Sequence, residues 1–194
     1  ALNFGLRAAM YGCRVLFIDL DQQANLTYAL GLEAEDQPVW VDIVEKKVTT
    51  QQAIVKIDEH VDLIPSSLNN SVLDRVLLNG SRNWAQAVKG PLKEIRSYYD
   101  LVIIDTAPNL SAINTAVTCA SDLVVLPINP DKFSWMGLKK HREDLQDLRQ
   151  EFDLGFEQLI LFTKFDGRES ASREFLTQAI AQFEDLLLKN YIRT

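Results

Sequence analysis

Two apolar runs, each closed by a carboxylate, constrain this chain more than anything else in it. They are Val15-Leu-Phe-Ile-Asp19-Leu-Asp21-Gln-Gln-Ala-Asn25 and Leu101-Val-Ile-Ile-Asp105-Thr-Ala-Pro108. A run that is apolar at every position suits a strand covered on both faces, the pattern of parallel sheets in α/β proteins. Similar four-residue runs recur at Leu123–Leu126 and Leu159–Phe162, and Val61-Asp-Leu-Ile64, followed by Pro65-Ser-Ser, reads as a shorter strand entering a polar loop. Helical stretches lie between the last three all-apolar runs, at 109–120 and 134–152, and a further one follows at 170–187, which is the alternation of a βαβ array. The fold class expected is α/β, a mostly parallel sheet flanked by helices.

The helical stretches make specific expectations. Asn109 or Ser111 caps the first, and Leu138, Leu145, Leu148 and Phe152 line the second. Phe175, Leu176, Ala179, Ile180 and Phe183 form the buried stripe of the third. Residues 1–12 read as a helix with Leu2, Leu6, Ala9 and Met10 on one side and Gly12 suited to its C-cap. Gly90-Pro91 reads as an interruption, with the proline in the first turn of a new helix.

Composition narrows the function. A chain of 194 residues buries about 70% of its unfolded surface on folding, and its formal charge of −7 argues against a broad electrostatic footprint for nucleic acid. Cys13 and Cys119 form no CxxC or Cys/His cluster, so structural zinc and a disulfide framework are not expected. His60 and His141 lack partners at ligand spacing and read as solvent-exposed, while Phe133 and Trp135, at a strand-to-helix junction, read as core. No apolar run approaches the roughly 18 residues of a membrane span, and no membrane role is expected; the reading is a soluble protein of the cytoplasm.

Ligands of open α/β sheets bind beyond the carboxyl ends of the strands. Asp19, Asp21 and Asp105 therefore stand where a metal ion or a phosphate is handled, as in a nucleoside triphosphatase. One such aspartate alone would be read as a helix cap or turn residue. Two acidic motifs in order, with their flanks, are read as a site.

The residues resemble the ParA/MinD-type deviant Walker ATPases, which position plasmids, chromosomes and other cargo. The chain from Asp19 to Asn25 resembles the family's Asp-x-Asp-Pro-Gln-Gly-Asn, with Gln22 and Ala24 in place of Pro and Gly. Asp105-Thr-Ala-Pro108 resembles its Walker B motif, with Ala107 for one proline. Leu126-Pro-Ile-Asn-Pro130 and Leu161-Phe-Thr-Lys-Phe-Asp166-Gly-Arg168 resemble stretches that line the adenine side, and Ser172-Arg173-Glu174 fits a family helix.

The resemblance implies a P-loop NTPase-like fold and one nucleotide-binding ATPase domain over 1–194, truncated at both ends. The helix opening at Ala1 would follow a strand and a lysine-bearing phosphate loop, and the absence of that strand would leave unpaired sheet edges. It implies ATP and Mg²⁺ as cofactors, Asp21 as the catalytic group that orients water, and Asp105 as the metal residue. Asp19 either assists the metal shell or fixes the strand end. Pro130, Thr163 and Lys164 would contact nucleotide, though Lys164 reads equally as an exposed lysine. Lys189 and Arg193, in a terminal segment resembling a strand with a basic DNA contact, read either as DNA-binding residues or as ordinary exposed charges.

The expected partners are a second copy in an ATP-dependent homodimer, non-specific DNA of the nucleoid, and a cargo-bound, ParB-like adaptor that stimulates turnover. A membrane-cycling MinD-like ATPase is the alternative, and it would need a basic amphipathic terminal helix. A receiver-like phosphoacceptor is a third, but Asp21 and Asp105 are too far apart for one βαβ unit of about 30 residues. Iron–sulfur reductases of the same superfamily would need paired cysteines, and only Cys119 is loosely placed for that.

Overall fold

The computed structural model describes residues 1–80, 85–108 and 111–193. The chain divides into two compact units, Ala1–Ala120 and Ser121–Thr194.

The first unit holds four strands, β1 Val15–Asp19, β2 Val55–Asp58, β3 Val61–Ile64 and β4 Leu101–Asp105, in the order β2-β3-β1-β4. Strand β1 pairs in parallel with both β3 and β4. Strand β2, which sequence periodicity did not reveal, is antiparallel to β3 at one edge. Each of Val15, Leu16, Phe17 and Ile18 is fully buried, as the all-apolar run requires. Their alternation feeds two cores. Leu16 and Ile18 join Trp40, Leu73, Val88, Ile95 and Ala116, whereas Val15 and Phe17 join Leu26, Val61 and Leu63.

The first core is closed by α3 Trp40–Val44, α4 Leu73–Gly80, α5 Gln86–Ile95 and α6 Ala112–Ala120, and the second by α1 Leu2–Met10 and α2 Asn25–Ala29. Helix α5 corrects one expectation: Pro91 lies inside a continuous helix and does not start one. Its ring leaves one backbone acceptor of that helix without an N–H, and packing through Val88 and Ile95 outweighs the loss. At the start of α6 the Ser111 hydroxyl accepts the N–H of Asn114, and Asp74 of α4 accepts that of Ile113. The alternative cap, Asn109, lies outside the described residues.

Helix α1 ends as expected, with Gly12 left-handed at φ 85°. Its buried face differs from the expected one, because Leu6 and Met10 are exposed and the buried residue is Gly5. The helix lies against β1 so closely that a Cβ at Gly5 would overlap the Phe17 ring and come within 2.9 Å of Ile103 Cδ1. Counting apolar side chains misses a contact made by a missing one.

In the second unit β5 Leu123–Ile128 and β6 Glu157–Phe162 pair in parallel. Helices α7 Lys132–Glu151 and α8 Ser170–Phe183 supply Leu138, Ala179 and Phe183 to a core around Ile128, Ile160 and Phe162. Asp131 caps α7, accepting the N–H of Ser134 at 2.8 Å and its hydroxyl at 2.7 Å. The terminal segment runs alongside β6 in parallel, with Leu188 N–H donating to the Ile160 carbonyl and Ile192 N–H to that of Phe162. Four expectations are corrected here and at the histidines. Ile180 is exposed, Phe152 follows the end of α7 and is exposed, Phe133 is 87% exposed while Trp135 packs on Phe175 and Phe183, and His60 and His141 are half-buried.

Among the described residues β4 pairs only with β1, and β5 only with β6. No helix among the described residues is long and apolar enough to cross a membrane.

Gly5→Ala should lower unfolding stability by about 1–3 kcal/mol, the usual penalty for an overpacked core. Urea denaturation of the variant beside the parent measures it.

Candidate active site

Parallel pairing places Asp19 directly opposite Asp105 at the carboxyl ends of β1 and β4. The Leu20 N–H donates to the Asp105 carbonyl at 2.9 Å, so the pairing extends one residue further and delivers Asp21 just beyond it. The three carboxylates that sequence spacing singled out thus belong to one end of one strand pair.

Their environments differ. Asp19 is fully buried. Its Oδ1 accepts the Asp21 N–H at 3.1 Å, and its Oδ2 accepts the Thr27 N–H at 2.9 Å and the Thr27 hydroxyl at 2.7 Å. Burial holds its carboxyl above the ordinary range even though all three bonds oppose that, and the charge of Asp105 adds to it. Asp105 is half-buried, and no hydrogen bond to its carboxylate is present among the described residues. Burial raises its affinity for a proton too, with the charge of Asp21 contributing.

Asp21 is half-buried and accepts the Gln23 N–H at 3.0 Å through Oδ1. Its carbonyl accepts the Ala24 N–H at 2.9 Å. Ala24 itself is left-handed at φ 53°, so this chain closes with alanine a turn that suits glycine. Beyond β4 the Asn114 amide donates to the Ala107 carbonyl at 2.8 Å and fastens the next loop. Among the described residues no three His, Cys, Asp or Glu side chains are grouped to hold a metal ion by themselves.

The second unit gathers Pro130, Thr163 and Lys164 at the carboxyl end of its own strand pair. Pro130 is half-buried. The Thr163 hydroxyl lies 3.0 Å from the Ile128 carbonyl and 2.7 Å from Asn129 Oδ1, and donates to these acceptors. Lys164 is exposed, left-handed at φ 54°, and its charge bears on Asp131, whose carboxyl is held low mainly by the Ser134 N–H and hydroxyl. Lys189 and Arg193 are exposed on the terminal segment.

Arg193 lies over the Tyr191 ring at 5.9 Å, beside a cavity of about 420 Å³ lined by Phe165, Asp166, Gly167, Arg168, Tyr191 and Arg193. Asp166 and Arg168 pair at 2.6 Å, which holds the aspartate down to about 2. Phe165 and Tyr191 pack with ring centroids 4.4 Å apart. Sequence reasoning did not single out these two rings, although the Phe-Asp-Gly-Arg run was visible.

The adjacent carboxylates should respond oppositely to substitution. Asp19→Ala strands two N–H groups and a hydroxyl in a buried place and should cost about 1–3 kcal/mol. Asp105→Asn should stabilise the metal-free protein at neutral pH. The raised proton affinity of Asp105 gives a contribution that is complete below the unfolded carboxyl value of about 3.9 and is lost as pH rises through the folded value; asparagine has no proton to lose. Urea unfolding of both variants from acid to neutral pH checks the two signs.

A family model described as an AAA domain matches residues 1–157. A virulence plasmid ParA family protein of Chlamydia psittaci is 31% identical over 199 residues, covering 100% of this chain and 74% of the relative. The cell division protein PomZ of Myxococcus xanthus is 29% identical over 195 residues, covering 98% of this chain and 60% of that protein. The chain spans about 60% of the length of the first curated relatives it matches. Among solved structures, cobyrinic acid a,c-diamide synthase of Mycobacterium smegmatis with bound ATP analog and magnesium superposes with a TM-score of 0.84 at 27% identity, over 93% of this chain and 74% of the other. With its strands, its two acidic motifs and these relatives in agreement, the chain belongs to the ParA/MinD-type family of P-loop ATPases.

Proposed function

We propose that this chain carries the hydrolytic half of a partition or positioning ATPase that uses Mg²⁺-ATP. The observation that supports this best is the register of β1 and β4, which sets Asp19 opposite Asp105 with Asp21 just beyond the pairing. Phosphoryl transfer proceeds through a loose transition state, so a protein catalyses it mainly by positioning water and stabilising charge. In this reading Asp21 orients the attacking water. Its Oδ1 is steadied by the Gln23 N–H, which leaves the other oxygen for that task.

Asp105 would serve magnesium through the ion's water shell. Its carboxylate fits, since it is half-buried and makes no hydrogen bond among the described residues that a cation's waters would have to displace, and magnesium commonly uses one or two carboxylates with substrate phosphates. The ion supplies charge neutralisation on the phosphates. Asp19 takes the second of its two sequence readings here: with both oxygens already engaged it fixes the strand end. Pro130, Thr163 and Lys164 are proposed to meet the nucleotide base, a role supported by their common strand end.

The whole protein is proposed to form an ATP-dependent homodimer on nucleoid DNA in the cytoplasm and to be stimulated by a ParB-like adaptor. The relatives that support this are a ParA family plasmid protein and a cell division protein. Lys189 and Arg193 are proposed as part of the DNA contact, since both are exposed on one segment.

In the whole protein, Asp21→Ala should reduce ATP turnover by 10²-fold or more, on the order expected for such a catalytic group, while nucleotide affinity and dimerisation stay at parental values. Hydrolysis at the parental rate would remove Asp21 from the mechanism. Replacing Lys189 and Arg193 with alanine should weaken ATP-dependent binding to duplex DNA of arbitrary sequence and flatten its dependence on salt between about 50 and 200 mM. A filter-binding titration reads both quantities. Unchanged DNA binding would clear these two residues, and ATP-dependent binding to lipid vesicles with none to DNA would favour a membrane-cycling protein.

A further inference from the structure

A buried chain of hydrogen bonds leads from the Asp21 loop into the body of the first unit. From Asp19, which accepts the Asp21 N–H, it passes to the Thr27 hydroxyl at 2.7 Å. The same Thr27 oxygen accepts the Ser66 N–H at 3.0 Å. The Ser66 hydroxyl accepts from the Asn70 amide at 2.8 Å, and Asn70 Oδ1 accepts the Val41 N–H at 3.1 Å. Asp19, Thr27 and Ser66 are fully buried and Asn70 is 4% exposed.

Local propensity does not hold the loop in place. Helix α2 has five residues, too few to be stable alone, and its N-cap Ala24 is in the left-handed region, which disfavours alanine. The loop is set by what anchors it, and the anchor is Thr27. Its one hydroxyl proton goes to Asp19 and its oxygen receives Ser66, so the side chain joins the carboxyl end of β1 to the segment after β3.

We infer that Thr27 is a positioning residue for hydrolysis, with Ser66 as its outer support: through Asp19 it fixes the backbone on which Asp21 is carried. The inference rests on Asp21 as the water-orienting group. Valine matches threonine in shape and cannot donate to Asp19 or accept from Ser66, whereas serine can do both. A misplacement of a reacting group by about 1 Å can cost 10²-fold in rate.

The test is steady-state ATP hydrolysis and nucleotide affinity in the whole protein with Mg²⁺-ATP, for the parent, Thr27→Val, Thr27→Ser and Asp21→Ala. Thr27→Val should lower kcat by about tenfold or more with nucleotide affinity unchanged, and Thr27→Ser should restore at least half of the parental kcat. Parental kcat in Thr27→Val, equal losses of kcat and affinity, or a serine variant no better than valine would each overturn the assignment. Asp21→Ala at the parental rate would sink the underlying catalytic reading, a separate and distinguishable failure. Should Thr27→Val not fold, Thr27→Ala beside Thr27→Ser carries the test: a kcat about threefold or more lower in the alanine variant than in the serine variant at parental affinity supports the positioning role, and equal kcat in the two overturns it.

Discussion

The burial of the Asp19 carboxylate at the end of β1 is the constraint on which the site depends. A buried carboxylate is tolerated when its oxygens are bonded, and Asp19 meets that condition by drawing in the Thr27 N–H and hydroxyl and the Asp21 N–H. Satisfying one buried charge therefore dictates the path of the next eight residues. It places Asp21 clear of the strand, turns the chain through a left-handed Ala24, and starts α2. Parallel pairing with β4 then sets Asp105 beside the same point. The geometry follows from polar satisfaction and strand register, helped by the local turn bonds that Asp21 makes to the Gln23 and Ala24 N–H groups.

Three aspartates at one strand end could share a single role, but their surroundings divide them. Asp19 has both oxygens occupied within the protein, Asp21 has one occupied, and Asp105 has a carboxylate with no such bond among the described residues. Burial raises the proton affinity of Asp19 and Asp105, so a bound cation would favour the ionised form of the one that can reach it. These differences underlie the proposed division between a strand-fixing, a water-orienting and a metal-side carboxylate.

Much of the fold was legible from residue pattern alone. All-apolar runs identify β1, β4, β5 and β6, although only β1 is buried at every position and Leu123 and Val125 of β5 are exposed. Strand β2 escaped because Val55-Lys-Ile-Asp58 is an edge strand with one solvent face. The contact face of α1 was misread because its closest approach is made by Gly5, which a count of apolar residues ignores. Pro91 was misplaced because tertiary packing overrides the preference of proline for helix starts. Asp19, Asp21 and Asp105 could be found by spacing, but the part played by Thr27 could not, since its partners Asp19 and Ser66 lie far apart in the chain and meet only through the pairing of β1 with β3. The cavity between Phe165 and Tyr191 likewise forms only when the terminal segment lies along β6.

The division of labour among the carboxylates can be seen directly in a structure of the whole protein with a non-hydrolysable ATP analogue and Mn²⁺ in place of Mg²⁺, located by anomalous scattering. The ion should lie on the Asp105 side, bridged by water, with an ordered water within about 3 Å of an Asp21 oxygen and with Thr27 and Asp21 still bonded to Asp19. An ion ligated directly by Asp19 or Asp21, or a γ-phosphate out of reach of the Asp21 loop, would contradict it.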